Sequence, residues 1–95
     1  MNRLQYLLCK LAEESSEIAQ IALKTQQFGL EERYPKDPKN NKERIHSELN
    51  DLNAIIELLN EEFSFGYKYD PYYIIEKEKK LNHYFEYSKQ LGMIQ

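Results

Sequence analysis

Residues 11–19 read LAEESSEIA. Leu11 and Ile18 fall on one side of a helix, and Leu4, Leu7, Leu8, Ser15, Ala19 and Ala22 carry the same i, i+3, i+4, i+7 spacing outward in both directions. The stretch is therefore the middle of an amphipathic helix, with Asn2 placed to cap its start and Gly29 to stop it. The glutamates are what does not fit. At the helical rotation per residue, Glu14 projects between Leu7 and Ile21, about 20° from each and inside the apolar arc. Glu17 lies at the edge of that arc, and Glu13 lies further round toward solvent.

The same arrangement recurs downstream. A second helix runs from about Lys42 to Phe63, with Ile45, Leu49, Leu52, Ile56, Leu59 and Phe63 on one side. Glu48 projects between Ile55 and Leu59, again about 20° from each, and Asp51 sits near Leu58 on the border. Between the helices, residues 30–42, LEERYPKDPKNNK, hold two prolines and two asparagines and read as a loop. A bundle connection of that length tends to be functional or mobile. After the turn SFGYKYDP, Asp70 at N-cap and Pro71 at the first helical position start a third helix that ends near Gly92. Ile74, Leu81, Phe85 and Ser88 form its expected inner stripe, and Lys77, Lys80, Tyr84 and Tyr87 form a second stripe about 80° wide.

Three helices in 95 residues make one all-α domain over residues 1–95, with no internal repeat. A chain this short buries only about two thirds of its unfolded surface, so its core is thin and a partner subunit would help. The expected architecture is an antiparallel helical bundle completed by dimerisation. A net charge of −3 gives no broad attraction to nucleic acid or anionic membrane. The single cysteine, Cys9, excludes an internal disulfide and fits a reducing compartment. Lys10 and the acids behind it break the apolar run that a signal peptide needs, and no run approaches the length of a membrane span, so the expected location is cytoplasmic. His46 and His83 are isolated from one another and from Cys9 and read as ordinary surface residues.

If the first two helices pack as antiparallel neighbours, E14-S-S-E17 and E48-L-N-D51 aim four carboxylates at one place. Two like charges about 4 Å apart repel by about 4 kcal/mol at an effective dielectric near 20. Desolvation adds to that cost, against a net stability of only about 5–15 kcal/mol for a domain. Protonation or a bound cation must relieve the crowding. Carboxylate oxygens alone suit Mg²⁺, Mn²⁺ or Ca²⁺ rather than Zn²⁺. Of these, Mg²⁺ is the usual escort of polyphosphates.

L11-A-E-E-S-S-E-I-A19 followed by E48-L-N-D51-L-N-A-I-I-E-L-L resembles the E-E-x-x-E … E-x-x-D signature of the MazG-like, all-α nucleoside triphosphate pyrophosphatases. The resemblance covers residues 4 to 60 and extends more loosely over the third helix. It implies a Mg²⁺-dependent enzyme, with Mn²⁺ an acceptable substitute, that cleaves a nucleoside triphosphate between the α- and β-phosphates. The products are a monophosphate and pyrophosphate, and the assembly is a homodimer or homotetramer. By the same resemblance Glu14, Glu17, Glu48 and Asp51 are the metal ligands. Glu13, Glu14 and Glu17 are the candidate catalytic acids, one of them the base toward water and Glu13 an acid that orients it. Lys77, Lys80 and Tyr84 are the candidate nucleotide contacts. Two departures are visible: Leu81 stands four residues after Lys77, where relatives often have an asparagine, and Leu23 and Lys24 stand where some place a base-stacking aromatic. Phe28 and Tyr34 remain as aromatics that could stack on a base. The departures keep open an alternative of another class, a nucleotide-binding or regulatory module with little turnover.

Overall fold

A computed structural model describes residues 1–95 as three α-helices, α1 (Arg3–Phe28), α2 (Asn41–Phe63) and α3 (Pro71–Gln90). Each helix starts where its local chemistry can satisfy free amides. Asn2 accepts from the Gln5 amide at 2.8 Å while the Gln5 side chain accepts from the Asn2 amide at 3.0 Å, a reciprocal capping box. Asn40 and Glu43 repeat the device at α2, so that helix begins one residue before the expected Lys42. Asp70 caps α3 by accepting from the Tyr73 amide at 3.0 Å, with Pro71 behind it at the first position. The far end of α3 closes by paired bonds, Gly92 N–H to Lys89 C=O and Met93 N–H to Ser88 C=O. Gly92 sits at φ 79°, a left-handed position that suits glycine.

α1 and α2 form an antiparallel hairpin. Leu7 and Ile21 from α1 and Leu59 from α2 are the buried apolar side chains. Arg3 holds Glu62 through two hydrogen bonds of 3.0 and 2.9 Å, which ties the start of α1 to the end of α2. At the opposite end, the loop expected from composition is stitched to the helices by its asparagines. The Asn41 side chain, 1% exposed, donates to the Gly29 carbonyl and to Glu32, each at 2.9 Å, and Asn40 donates to Glu31 at 3.1 Å. The Asn41 amide donates to the Glu32 carbonyl at 3.0 Å, and Arg33 pairs with Asn40 in an isolated antiparallel bridge.

The third helix departs from expectation. It packs against neither α1 nor α2, and none of its residues is buried. The stripe expected to face inward lies open, with Leu81 57% and Phe85 49% exposed. The connection to it is anchored, since Asn60 bonds both the amide and the carbonyl of Tyr67 at 3.0 Å, but the helix beyond projects away. The radius of gyration is accordingly 16.9 Å, where a compact chain of this length has about 12 Å. Within one chain the expected bundle is thus a two-helix hairpin with a detached third helix. α1 and α2 bury Leu7, Ile21 and Leu59 against each other, and α3 adds no buried side chain to that core.

Candidate metal centre

Midway along the hairpin, Glu14 and Glu17 of α1 and Glu48 of α2 bring one carboxylate oxygen each to within 4.8 Å of the others. The placement follows from the wheel geometry. Glu14 and Glu48 sit inside the apolar arcs of their helices, so closing the hairpin on Leu7, Ile21 and Leu59 turns both toward the partner helix. Glu17, one turn on from Glu14, meets them from the exposed rim.

The electrostatics are those of a site short of positive charge. Oε2 of Glu14 and Oε2 of Glu48 are buried and have no hydrogen-bond partner, a condition that costs free energy in proportion to the lost hydration. Burial is the main force that pushes the Glu48 carboxyl up to about 7, followed by hydrogen bonding with Glu14 and Glu17 and by their negative charge. A proton held within the group relieves part of this crowding. A divalent cation would relieve the same strain without a proton. The donor set fits: all ligands are carboxylate oxygens, two of them lack any other partner, and such sets take hard cations of the Mg²⁺, Mn²⁺ or Ca²⁺ type.

Two acids expected at the centre lie outside the group of three. Asp51 is exposed and lines a separate hollow with Lys10, Glu14 and Leu58. Its position on α2 places it about 4.5 Å further along the axis than Glu48, toward the start of α1. Glu13 points away and pairs with Lys10 at 2.9 Å. The nucleotide contacts expected from α3, Lys77, Lys80 and Tyr84, are not brought near the carboxylates within one chain, because the helix that carries them touches neither α1 nor α2. Phe28 and Tyr34 are both exposed, 57% and 60%.

Beside the carboxylates, toward the loop, opens a cleft of about 290 Å³ lined by Glu17, Gln20, Ile21, Lys24, Arg44 and Glu48. Lys24 and Arg44 were not among the expected site residues. Their signal was present in the spacing: Lys24 follows Glu17 by seven residues and Arg44 precedes Glu48 by four, so each shares the face of the acid on its own helix. Arg44 lies 3.8 Å from Asp37 of the loop, and the Lys24 ammonium lies 5.5 Å from the centre of the Tyr34 ring.

No protein-family model matches the chain, and neither the curated proteins nor the solved structures contain a significant match to it.

Proposed function

We propose that the protein is a Mg²⁺-dependent nucleoside triphosphate pyrophosphohydrolase that converts a nucleoside triphosphate and water into the monophosphate and pyrophosphate. The observation that carries the proposal is the group formed by Glu14, Glu17 and Glu48, with two buried oxygens lacking any partner, on the residues that resemble the MazG-like signature. Glu14, Glu17 and Glu48 would hold the metal. When bound, Mg²⁺ supplies positive charge for the phosphate oxygens and lowers the pKa of water. Glu17, the exposed member of the group, is best placed to reach solvent and take the proton of the attacking water. The proposed assembly is a homodimer or larger even oligomer, supported by the detached α3.

Incubation with a panel of nucleoside triphosphates and Mg²⁺, followed by separate assays of monophosphate and pyrophosphate, tests the reading. Glu48→Gln should reduce turnover by about 10²-fold or more while helicity is retained. Unchanged turnover in that variant would end the assignment. The position of Asp51 outside the group favours a second reading, a nucleotide-binding module with an incomplete metal site. Saturable Mg²⁺-dependent nucleotide binding without product over long incubation would select it.

A further inference from the structure

The cleft beside the carboxylates contains two acids and two bases that do not pair with each other. Glu17 and Glu48 line one end, and Lys24 and Arg44 line the other. Long cationic side chains next to carboxylates ordinarily close onto them. Here the Arg44 guanidinium leans on Asp37 at 3.8 Å, and Lys24 makes no ion pair and rests over Tyr34. Both anchors belong to the loop between the helices, which Asn40 and Asn41 fasten to the helix ends. That loop therefore holds two positive charges open across a polar gap whose one apolar wall residue is Ile21. In an antiparallel hairpin, moving forward along α1 and backward along α2 leads to the same end. Lys24 stands about 10 Å beyond Glu17 and Arg44 about 6 Å beyond Glu48, both toward the loop.

We infer that Lys24 and Arg44 are the contacts for the distal phosphates of a polyphosphate whose proximal oxygens share a divalent cation with Glu14, Glu17 and Glu48. The inference rests on the metal-centre reading above and adds to it two positioning residues. A single phosphate held at the carboxylates cannot also reach the cations, whereas a chain of three spans the interval. The cleft therefore discriminates by chain length, and in a reaction that releases pyrophosphate the same two side chains hold the departing group. Charge sets the order of the contacts. Bare phosphates are repelled by Glu17 and Glu48, so the acid end accepts them only with a metal ion, while the loop end accepts them directly.

The full-length chain is titrated calorimetrically with inorganic phosphate, pyrophosphate and tripolyphosphate in millimolar Mg²⁺, and its melting temperature is recorded with and without Mg²⁺ alone. Tripolyphosphate should bind about tenfold or more tighter than phosphate. Lys24→Met and Arg44→Gln should each weaken tripolyphosphate by about five- to tenfold, with the Mg²⁺-induced melting shift unchanged, and Arg44→Lys should recover part of the loss. Asp37→Asn, which releases the guanidinium to close onto Glu48 without altering the cleft wall, should weaken tripolyphosphate binding. A Mg²⁺-induced shift together with no tripolyphosphate preference, or with affinities indifferent to Lys24→Met and Arg44→Gln, overturns the inference and leaves the metal centre standing. No Mg²⁺ shift in the wild type overturns the metal centre and the inference with it, and that result is read before any phosphate is added. If Arg44→Gln loses helicity, Lys24→Met decides alone, since the lysine makes no ion pair to lose.

Discussion

Glu48 is a carboxyl placed where an apolar side chain would be cheaper, and its acidity records that. Its folded-state value of about 7 stands above the ordinary 4.5, so the folded chain binds a proton more tightly than the unfolded one. The stability contributed by this group is fully present below pH 4.5 and is lost as pH rises through 7. Melts of the metal-free protein at intervals from pH 5 to 8 should show falling stability, and saturating Mg²⁺ should flatten the trend because the cation replaces the proton. Glu62, lowered chiefly by its hydrogen bond to Arg3, acts with the opposite sign, and its contribution is lost only as pH falls below the ordinary carboxyl value, outside that window. Glu48→Gln should raise the metal-free melting temperature by a few degrees and remove the response to Mg²⁺. Metal-free stability that is flat or rising between pH 5 and 8 contradicts the account. The acids inside the apolar arcs were legible from the sequence because the helical wheel gives their angle. The same wheel put Glu13 toward solvent and Asp51 on the border, and both are exposed. Angle alone does not say which acids share one height between the helices, where Glu14, Glu17 and Glu48 meet, nor that Lys10 takes up Glu13.

The three helices themselves were readable almost to the residue, since asparagine, aspartate, proline and glycine punctuate them through backbone chemistry that acts locally. The loop was readable only as a loop. Asn40 and Asn41 count as turn formers in a sequence, yet both are buried and serve as fasteners, a role decided by which carbonyl and carboxylate lie across from them in the folded hairpin. Asn41→Leu removes the donors to Gly29 and Glu32 and leaves both acceptors short. It should cost about 2–3 kcal/mol in urea unfolding, and a loss below about 0.5 kcal/mol would show that the side chain is dispensable. The variant should also impair tripolyphosphate binding more than it impairs the Mg²⁺ response. Asp37 and Tyr34 hang from the fastened loop, whereas the carboxylates lie on helices closed by Leu7, Ile21 and Leu59. At the other end of the chain, α3 is well capped but rests on nothing, so its helicity depends on its caps and on whatever covers it. Asp70→Ala should destabilise that helix by about 1 kcal/mol, read as faster amide exchange over residues 73–80 with α1 and α2 unaffected.

At the scale of the whole molecule the single chain leaves more surface open than a compact monomer does. It exposes 7988 Å², where a compact monomer of 11.4 kDa exposes about 5,800 Å². An excess of roughly 2,000 Å² per chain matches an obligate subunit interface, well above the 800 Å² or so per partner of an ordinary complex. Part of the open surface lies on faces whose periodicity predicts burial. Ile74, Leu81 and Phe85 on α3 and Leu4, Leu8 and Leu49 on the hairpin all lie open, although their periodicity marks them as inner faces. Periodicity reports that a face is buried without reporting which chain buries it, which is why α3 could be read as a bundle helix and yet stand free here. The expected outcome follows for the native protein: light scattering should give a mass of at least twice 11.4 kDa at micromolar concentration. Leu81→Glu combined with Phe85→Glu should reduce it to monomers whose melting temperature is more than about 10 °C lower, since two apolar side chains per copy lose about 1.5–3 kcal/mol each of burial. The same double variant separates two origins of the site. A dissociated monomer that keeps its Mg²⁺ response locates the metal centre wholly within one hairpin, as the distances among Glu14, Glu17 and Glu48 require. A response lost on dissociation would mean that a partner subunit completes the site. A wild-type chain that is monomeric and fully stable would remove the partner altogether, and would leave the open stripe of α3 without a physical reason to exist.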